Sequence, residues 1–420
     1  METLQDTDTV IVGGGQAGLA ASRHLMAHGV PHVVLERARI AESWRTRRWD
    51  SLVANGPAWH DRFPELEFEG DSPNSFAGKD RVAEYFETYA KRFGLPLRCG
   101  VNVNRVARLS GAEGFQVNTS LGKLKAKRVI AATGPFQKPV IPPLIPESAG
   151  LCQLHSADYR NPDALPDGGV LVVGAGSSGV QIADELIRAG RDVTLSVGPH
   201  ARPPRSYRGL DYCWWLGVLG KWESPQPDPD TDHITIAVSG AHGGRTVDFR
   251  QLGGEGVTLV GMAESFSGTT LRFAGDLADN IAAGDADYLS VLDEADAYAA
   301  AYGLDLPAQP EARVFPPDPP SLINPVRALD LAAAGITTVL WATGYAPDFN
   351  WLRVNAFDSN GHPAHQRGVS TEPGVYFLGL PWLSRRGSSF IWGVWHDAKY
   401  IADQIAIRRN YADYQMSAIL

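Results

Sequence analysis

A strand, a glycine turn and a helix occur twice in this chain, 161 residues apart. The β-branched run Thr9-Val10-Ile11-Val12 leads into Gly13-Gly14-Gly15-Gln16-Ala17-Gly18, a helix-compatible segment over 19–25, and a second strand, Val33-Val34-Leu35-Glu36. The same order returns as the strand 169–173, Gly174-Ala175-Gly176-Ser177-Ser178-Gly179, a helix over 180–187 and a strand over 193–197. In such a motif the first glycine permits the tight turn, the second lets the backbone approach a pyrophosphate, and the third allows close helix–strand packing. The helix N-terminus then faces the phosphates with its positive end. The reading is an α/β protein with two Rossmann-like dinucleotide-binding domains, the second inserted into the first.

Prolines mark where the chain changes domain. Pro135, Pro139, Pro142, Pro143 and Pro146 are too many for a helix or a central strand, and Pro316, Pro317, Pro319, Pro320 and Pro325 form a second such passage. The expected division is 1–165 for the first part of the FAD-binding domain, 166–325 for the NAD(P)-binding domain and 326–420 for the remainder of the first. Between the two fingerprints, Val82, Tyr85, Phe86, Tyr89, Ala90 and Phe93 fall on one face of a helix over 81–93. Residues 116–130 alternate as antiparallel strands, with Lys123, Lys125 and Lys127 on a solvated face. A terminal helix is expected from Asp397 to Arg409.

Glu36 stands 23 residues after Gly13, at the end of the second strand, where a carboxylate accepts the ribose hydroxyl of an unphosphorylated adenosine. Glu36 and its neighbour Arg37 are therefore assigned to a site for FAD or NAD. The equivalent count from Gly174 reaches Val197, between Ser196 and Gly198, with no acid to repel a 2′-phosphate. Arg202, Arg205 and Arg208 follow. They either read that phosphate or are solvated loop charges, so NADPH is favoured while NADH stays open. Two dinucleotide folds imply a bound flavin reduced by a nicotinamide. Cys99, Cys152 and Cys213 include no C-x-x-C or C-x4-C pair, so the reduced flavin has no adjacent dithiol to pass electrons to.

Charge and composition close other routes. With 38 Lys+Arg against 47 Asp+Glu the formal charge is −9, which offers no overall attraction to nucleic acid or an anionic membrane. No apolar run is long enough to span a bilayer, the acidic lead Met1-Glu2-Thr3-Leu4-Gln5-Asp6-Thr7-Asp8 lacks a basic signal-peptide region, and three scattered cysteines suit a reducing, cytoplasmic setting without structural zinc or another metal.

Several further motifs, in order, resemble class B flavoprotein monooxygenases, nearest the flavin-containing monooxygenase and YUCCA group and its bacterial relatives. They are Glu42-Ser43-Trp44 with Trp49, Ala131-Ala132-Thr133-Gly134, His155-Ser156-Ala157-Asp158-Tyr159, Trp341-Ala342-Thr343-Gly344-Tyr345, and Trp392-Gly393-Val394-Trp395-His396-Asp397. The resemblance covers nearly the whole chain. It implies that NADPH reduces FAD, that oxygen adds at flavin C4a, and that one oxygen atom passes from the hydroperoxide to a small organic substrate. Nitrogen or sulfur oxygenation and oxidative decarboxylation of an α-keto acid are the leading chemistries. An NAD(P)H oxidase, an electron-transfer flavoprotein reductase and a Baeyer–Villiger enzyme are the alternatives.

The resemblance also implies roles for single residues. Asn55 matches an active-site asparagine whose amide both donates and accepts hydrogen bonds, although Asn55-Gly56-Pro57 is equally a turn. His155 and Tyr159 match the second half of a signature whose first half departs, with Ala149 and Leu151 at its Phe and Gly positions. Read from the residues alone, His155 is as readily a satisfied histidine between domains. Ser43 and Trp44 resemble an FAD-contacting turn, with Arg45 reaching a flavin phosphate, and Thr133-Gly134 and Thr343-Gly344-Tyr345 resemble the two linkers. Asp397 is either a helix cap or a flavin-side group. Trp214, Trp215, Leu216, Leu219 and Trp222 form core or homodimer packing, a substrate wall or a membrane-facing surface.

Overall fold

A computed structural model of the chain describes residues 4–226 and 235–419, so Met1-Glu2-Thr3 of the acidic lead lies outside the described residues. Its first sheet is built on Thr7–Val12, which pairs in parallel with His32–Leu35 on one side and Gly122–Ala131 on the other. Val12 lies opposite both Leu35 and Ala131, so the chain leaves the sheet into the first glycine turn between two strand ends. Val375–Phe377 returns late in the sequence to pair in parallel with the far half of Gly122–Ala131. The near half of that strand pairs antiparallel with Phe115–Thr119, burying Leu124 and Ala126 while Lys123, Lys125 and Lys127 face solvent. Period-two alternation is what a half-buried antiparallel strand requires.

The second sheet is wholly parallel, in the order Thr258–Val260, Val193–Ser196, Gly169–Val173, Ile336–Trp341, Cys152–His155. Every residue of Gly169–Val173 is buried, as a central strand covered on both faces must be. Sheet membership corrects the expected boundaries. Cys152–His155 precedes residue 166 and Ile336–Trp341 follows residue 325, yet both pair inside the second sheet. The chain therefore crosses between sheets within 132–151 and again within 342–351. The proline passage at 316–325 belongs to the inserted domain. The crossings are tied together where Tyr345–Ala346 pairs antiparallel with Lys138–Pro139.

The helix Lys79–Arg92 buries Val82, Tyr85, Phe86 and Tyr89, the stripe expected from their spacing. The tryptophan-rich segment is the helix Tyr212–Val218, whose Trp215 is fully buried with Leu292 and Ala295 of the long helix Leu277–Ala301. The C-terminal helix runs Ile391–Ile419 and packs on the first fingerprint helix, Gln16–Ala27. It begins six residues earlier than expected. Asp397 is consequently inside the helix, and the cap reading is corrected. Among the described residues no helix is long and apolar enough to cross a membrane.

Candidate active site

The two glycine turns are built alike. Gly13 has φ +115°, and a methyl group there would fall 2.4 Å from the Ala132 carbonyl oxygen; Gly174 has φ +107° and the same relation, at 2.6 Å, to Ala342. The repeated Ala-Thr-Gly motifs are thus the ends of the strands beside each fingerprint, followed at once by the crossings. Gly134 and Gly344 both turn with positive φ, +76° and +78°. The third glycines are tighter still, since a Cβ on Gly18 or Gly179 would lie 1.9 or 1.8 Å from the carbonyl oxygen of Gly13 or Gly174.

The first cradle fits FAD. A Cβ on Gly15 would meet nothing within 4 Å, which leaves the helix start open to a pyrophosphate. Glu36 sits at the strand end, where its carboxylate accepts the N–H groups of Gly14 at 2.7 Å and Ala38 at 2.9 Å. Arg37 beside it is exposed. Gln16 donates to the Ser389 carbonyl at 2.8 Å, tying the buried start of the fingerprint helix at Ala17 to the C-terminal segment. Ser43 and Trp44 lie in the short helix Glu42–Thr46, docked by the Ala41 N–H on the Gly14 carbonyl. Arg45 pairs with Glu87 at 2.8 Å and keeps a buried Nε without partner.

At the second cradle Gly176 faces Thr235, and Ser177 donates to the Ile236 carbonyl at 2.7 Å, with Ser178 beside it at the helix start. One turn further along that helix, Gln181 reaches into the first domain. Its Nε2 donates both to the Val238 carbonyl, at 2.8 Å, and to Asn55 Oδ1, at 2.9 Å. A backbone carbonyl can only accept, so the Gln181 amide is oriented, and with it Asn55. Asn55 turns Oδ1 to Gln181 and leaves Nδ2 without a partner among the described residues. The turn behind it is held by Asp61, which accepts the Gly56 N–H at 3.0 Å and pairs with His60 at 2.9 Å. His60 is buried and stacks near Trp222 and Trp392.

His155 and Tyr159 do not stand as free acid–base groups, and their catalytic assignment is corrected. His155 is fully buried; its Nδ1 accepts the Ala157 N–H at 3.1 Å and its Nε2 is 2.9 Å from the Gly344 carbonyl. Both partners together fix the Nε2–H tautomer, and burial lowers its pKa. It clasps the second crossing, with Tyr345 edge-on at 4.9 Å, while Thr343 donates to the Val140 carbonyl of the first crossing; there Gln137 donates to Thr133. The Tyr159 hydroxyl donates to Glu185 at 2.8 Å, and Ser51 donates to the other Glu185 oxygen at 2.6 Å. Burial and that carboxylate raise the phenol pKa far out of reach. Arg160 donates to the Thr46 carbonyl and Asn161 to Asp50, so the signature segment is a seam between domains.

The expected 2′-phosphate arginines are corrected as well. Arg202 is 2% exposed, bonded to Asp285 at 2.9 Å through Nε, 3.4 Å from Asp248, and stacked over Tyr288. Arg205 is equally buried, pairs with Asp211 at 2.6 Å and donates to the Asn55 carbonyl. Buried guanidinium groups need carboxylates, and these have theirs; Arg205 supports the Asn55 turn instead. Asp397, now mid-helix, accepts from Ser384 at 2.5 Å and keeps Oδ2 buried without partner.

Sequence reasoning did not assign Gln181, Glu185, Ser51, His60 or Asp61. One signal was available: Gln181 and Glu185 are polar at i and i+4 on a helix with an otherwise apolar inner face. Nothing local points to Ser51 or Asp61.

Two dinucleotide folds joined by a hydrogen-bonded seam are the frame of a flavin- and pyridine-nucleotide-linked oxidoreductase. The family model described as pyridine nucleotide-disulphide oxidoreductase matches residues 10–208. The uncharacterized oxidoreductase CzcO-like of Geobacillus kaustophilus is 33% identical over 414 residues, covering 95% of this chain and 98% of that protein. The chain belongs to this family of CzcO-like oxidoreductases, relatives of the class B flavoprotein monooxygenases, and is an enzyme using FAD and a pyridine nucleotide. Indole-3-pyruvate monooxygenase YUCCA1 of Oryza sativa subsp. japonica is 35% identical over 218 residues, 51% of this chain and 53% of that protein. The solved flavin-containing monooxygenase from Stenotrophomonas maltophilia shares the fold, with a TM-score of 0.66 at 20% identity, covering 96% of this chain and 99% of that one.

A dithiol outlet is missing at this site. Cys99 is exposed, Cys152 half-buried and Cys213 buried, with no disulfide among them. Burial first, then Asp61, pushes the Cys213 thiol pKa well up, the opposite of a reactive thiolate.

Proposed function

We propose that the enzyme is an NAD(P)H-driven monooxygenase that transfers one oxygen atom from O2 to a small organic substrate in the cytoplasm. When bound, FAD supplies the reduction by nicotinamide and the activation of oxygen. The observation that carries the reading is the Asn55 side chain, oriented at the domain seam by Gln181 with its Nδ2–H free to donate. A donor fixed in advance stabilises developing negative charge on oxygen and needs no reorganisation to do so. In this reading Gln181 positions Asn55, Asp61 and Arg205 hold its turn, and Gly13, Gly15, Gly18 and Glu36 hold the flavin nucleotide. Gly174, Gly176 and Gly179 hold the nicotinamide nucleotide. No acid follows the second strand at Val197, which favours NADPH, but neither Arg202 nor Arg205 contributes to that preference.

The test uses the flavin-loaded enzyme, reduced with NADPH without oxygen, then mixed with O2 and an amine, a sulfide, an α-keto acid or a ketone. Oxygenated product equal to a substantial share of the NADPH consumed supports the reading, and its class names the chemistry. Stoichiometric hydrogen peroxide with no product from any of the four would replace it by an NAD(P)H oxidase.

A further inference from the structure

Outside both cradles, a cavity opens where the helix Tyr212–Val218, the long helix Leu277–Ala301 and the turn Arg386–Ser389 meet. It leaves about 70 Å³ for the centres of water-sized molecules, where a single water needs roughly 10–15 Å³. A small solute therefore has room. Leu216, Leu219 and Val291 make its apolar wall, and Trp215 is fully buried behind them, its indole N–H bonded to the Tyr207 carbonyl.

The polar lining is unbalanced. Arg386 donates to the Tyr212 hydroxyl at 3.1 Å, but among the described residues no carboxylate lies within ion-pair distance of it. Asp287, on the same cavity, has no ion pair among the described residues either, and burial raises its pKa. Asp287 accepts the Arg202 backbone N–H, and the charged groups acting on it are Arg386, Lys221 and the Arg202 guanidinium. Of these, Arg202 is bound to Asp285 and Lys221 to Glu294. A half-buried cation and a half-buried anion thus line one space without meeting, so a ligand carrying both charges can pair with each. Tyr212 adds direction. Burial pushes its phenol up to about 12, so the hydroxyl keeps its proton, and having accepted from Arg386 it has that proton left to donate.

We propose that this cavity binds an α-amino acid with a small aliphatic side chain, its carboxylate on Arg386 and the Tyr212 hydroxyl, its ammonium on Asp287, and its side chain against Leu216, Leu219 and Val291. The two charges of one zwitterion give each of these groups an ion-pair partner, which a simple anion or a simple amine does not.

The test is calorimetric titration of the flavin-loaded enzyme with L-leucine, 4-methylpentanoate, which lacks the amine, and 3-methylbutylamine, which lacks the carboxylate. L-leucine is expected to saturate, and each half-ligand to bind at least about tenfold more weakly, the loss of one charge-assisted contact. Arg386→Met should weaken L-leucine and 4-methylpentanoate alike, whereas Asp287→Asn should weaken L-leucine and leave 4-methylpentanoate unchanged. If Arg386→Met does not fold, Tyr212→Phe carries the same expectation for the carboxylate ligands. Absence of saturation by L-leucine up to about 10 mM, a weaker limit than any useful site, or equal binding of L-leucine and its deaminated analogue, overturns the proposal. The titration needs no turnover, so its failure is separate from a failure of oxygen transfer.

Discussion

One methyl group at Gly18 would lie 1.9 Å from the Gly13 carbonyl oxygen, and the clash is with backbone that cannot swing away. Gly18→Ala should therefore open the first turn at a cost of about 1–3 kcal/mol and release FAD, seen as colourless protein after gel filtration. Asn55→Ala should behave differently. Its backbone turn is held by Asp61 and Arg205, so flavin content should stay near wild type. Oxygen transfer should fall by about 10²–10³-fold, the usual loss of a single oxyanion donor, with peroxide rising in its place. Unchanged product yield from Asn55→Ala would refute the role given to its Nδ2. At this scale the glycines were legible in the sequence because their constraint is local, whereas the orientation of Asn55 depends on Gln181, 126 positions away.

The helix Ser177–Arg188 does two jobs at once. Its start forms the second cradle, and its inner stripe, Gln181 and Glu185, reaches across to Asn55 and to Ser51 of the first domain. Tyr159→Phe should cost about 1.5–3 kcal/mol, the range for a hydrogen bond to a charged carboxylate. Thermal unfolding should register that loss while the ratio of product to peroxide stays at the wild-type value. A drop in that ratio as large as that of Asn55→Ala would return Tyr159 to the chemistry. The motif containing His155 and Tyr159 was visible in the sequence, but its work is to join elements. A histidine and a tyrosine in a recognisable spacing look the same whether they move protons or close a seam; only their partners differ, here backbone and Glu185.

Across the whole molecule, histidines buried in neutral form tie stability to pH. His24 packs on Trp395 with its Nε2 unpartnered, and burial, with Lys399 nearby, lowers its pKa to about 4. His155 and His200 shift the same way, chiefly through burial. In each case the unfolded chain takes up a proton first, near pH 6.5, and the folded protein resists it. The stability these groups contribute is complete above about pH 6.5 and is lost progressively as pH falls towards the folded value, about 4 for His24. Denaturant midpoints measured from pH 8 down to 4 should fall most below 6.5, and His24→Gln should flatten that fall. An equally steep fall in the variant would assign it to other groups.

Two cradles and their order follow from the sequence by itself, because a strand–glycine–helix unit is decided by neighbours within about 30 residues. The crossing points, the burial of Arg202 and Arg205, and the seam that orients Asn55 were decided only in the tertiary structure. An arginine's reach and an amide's direction are set by which carboxylate or carbonyl the fold brings opposite, and those partners, Asp285, Asp211 and Gln181, come from other parts of the chain.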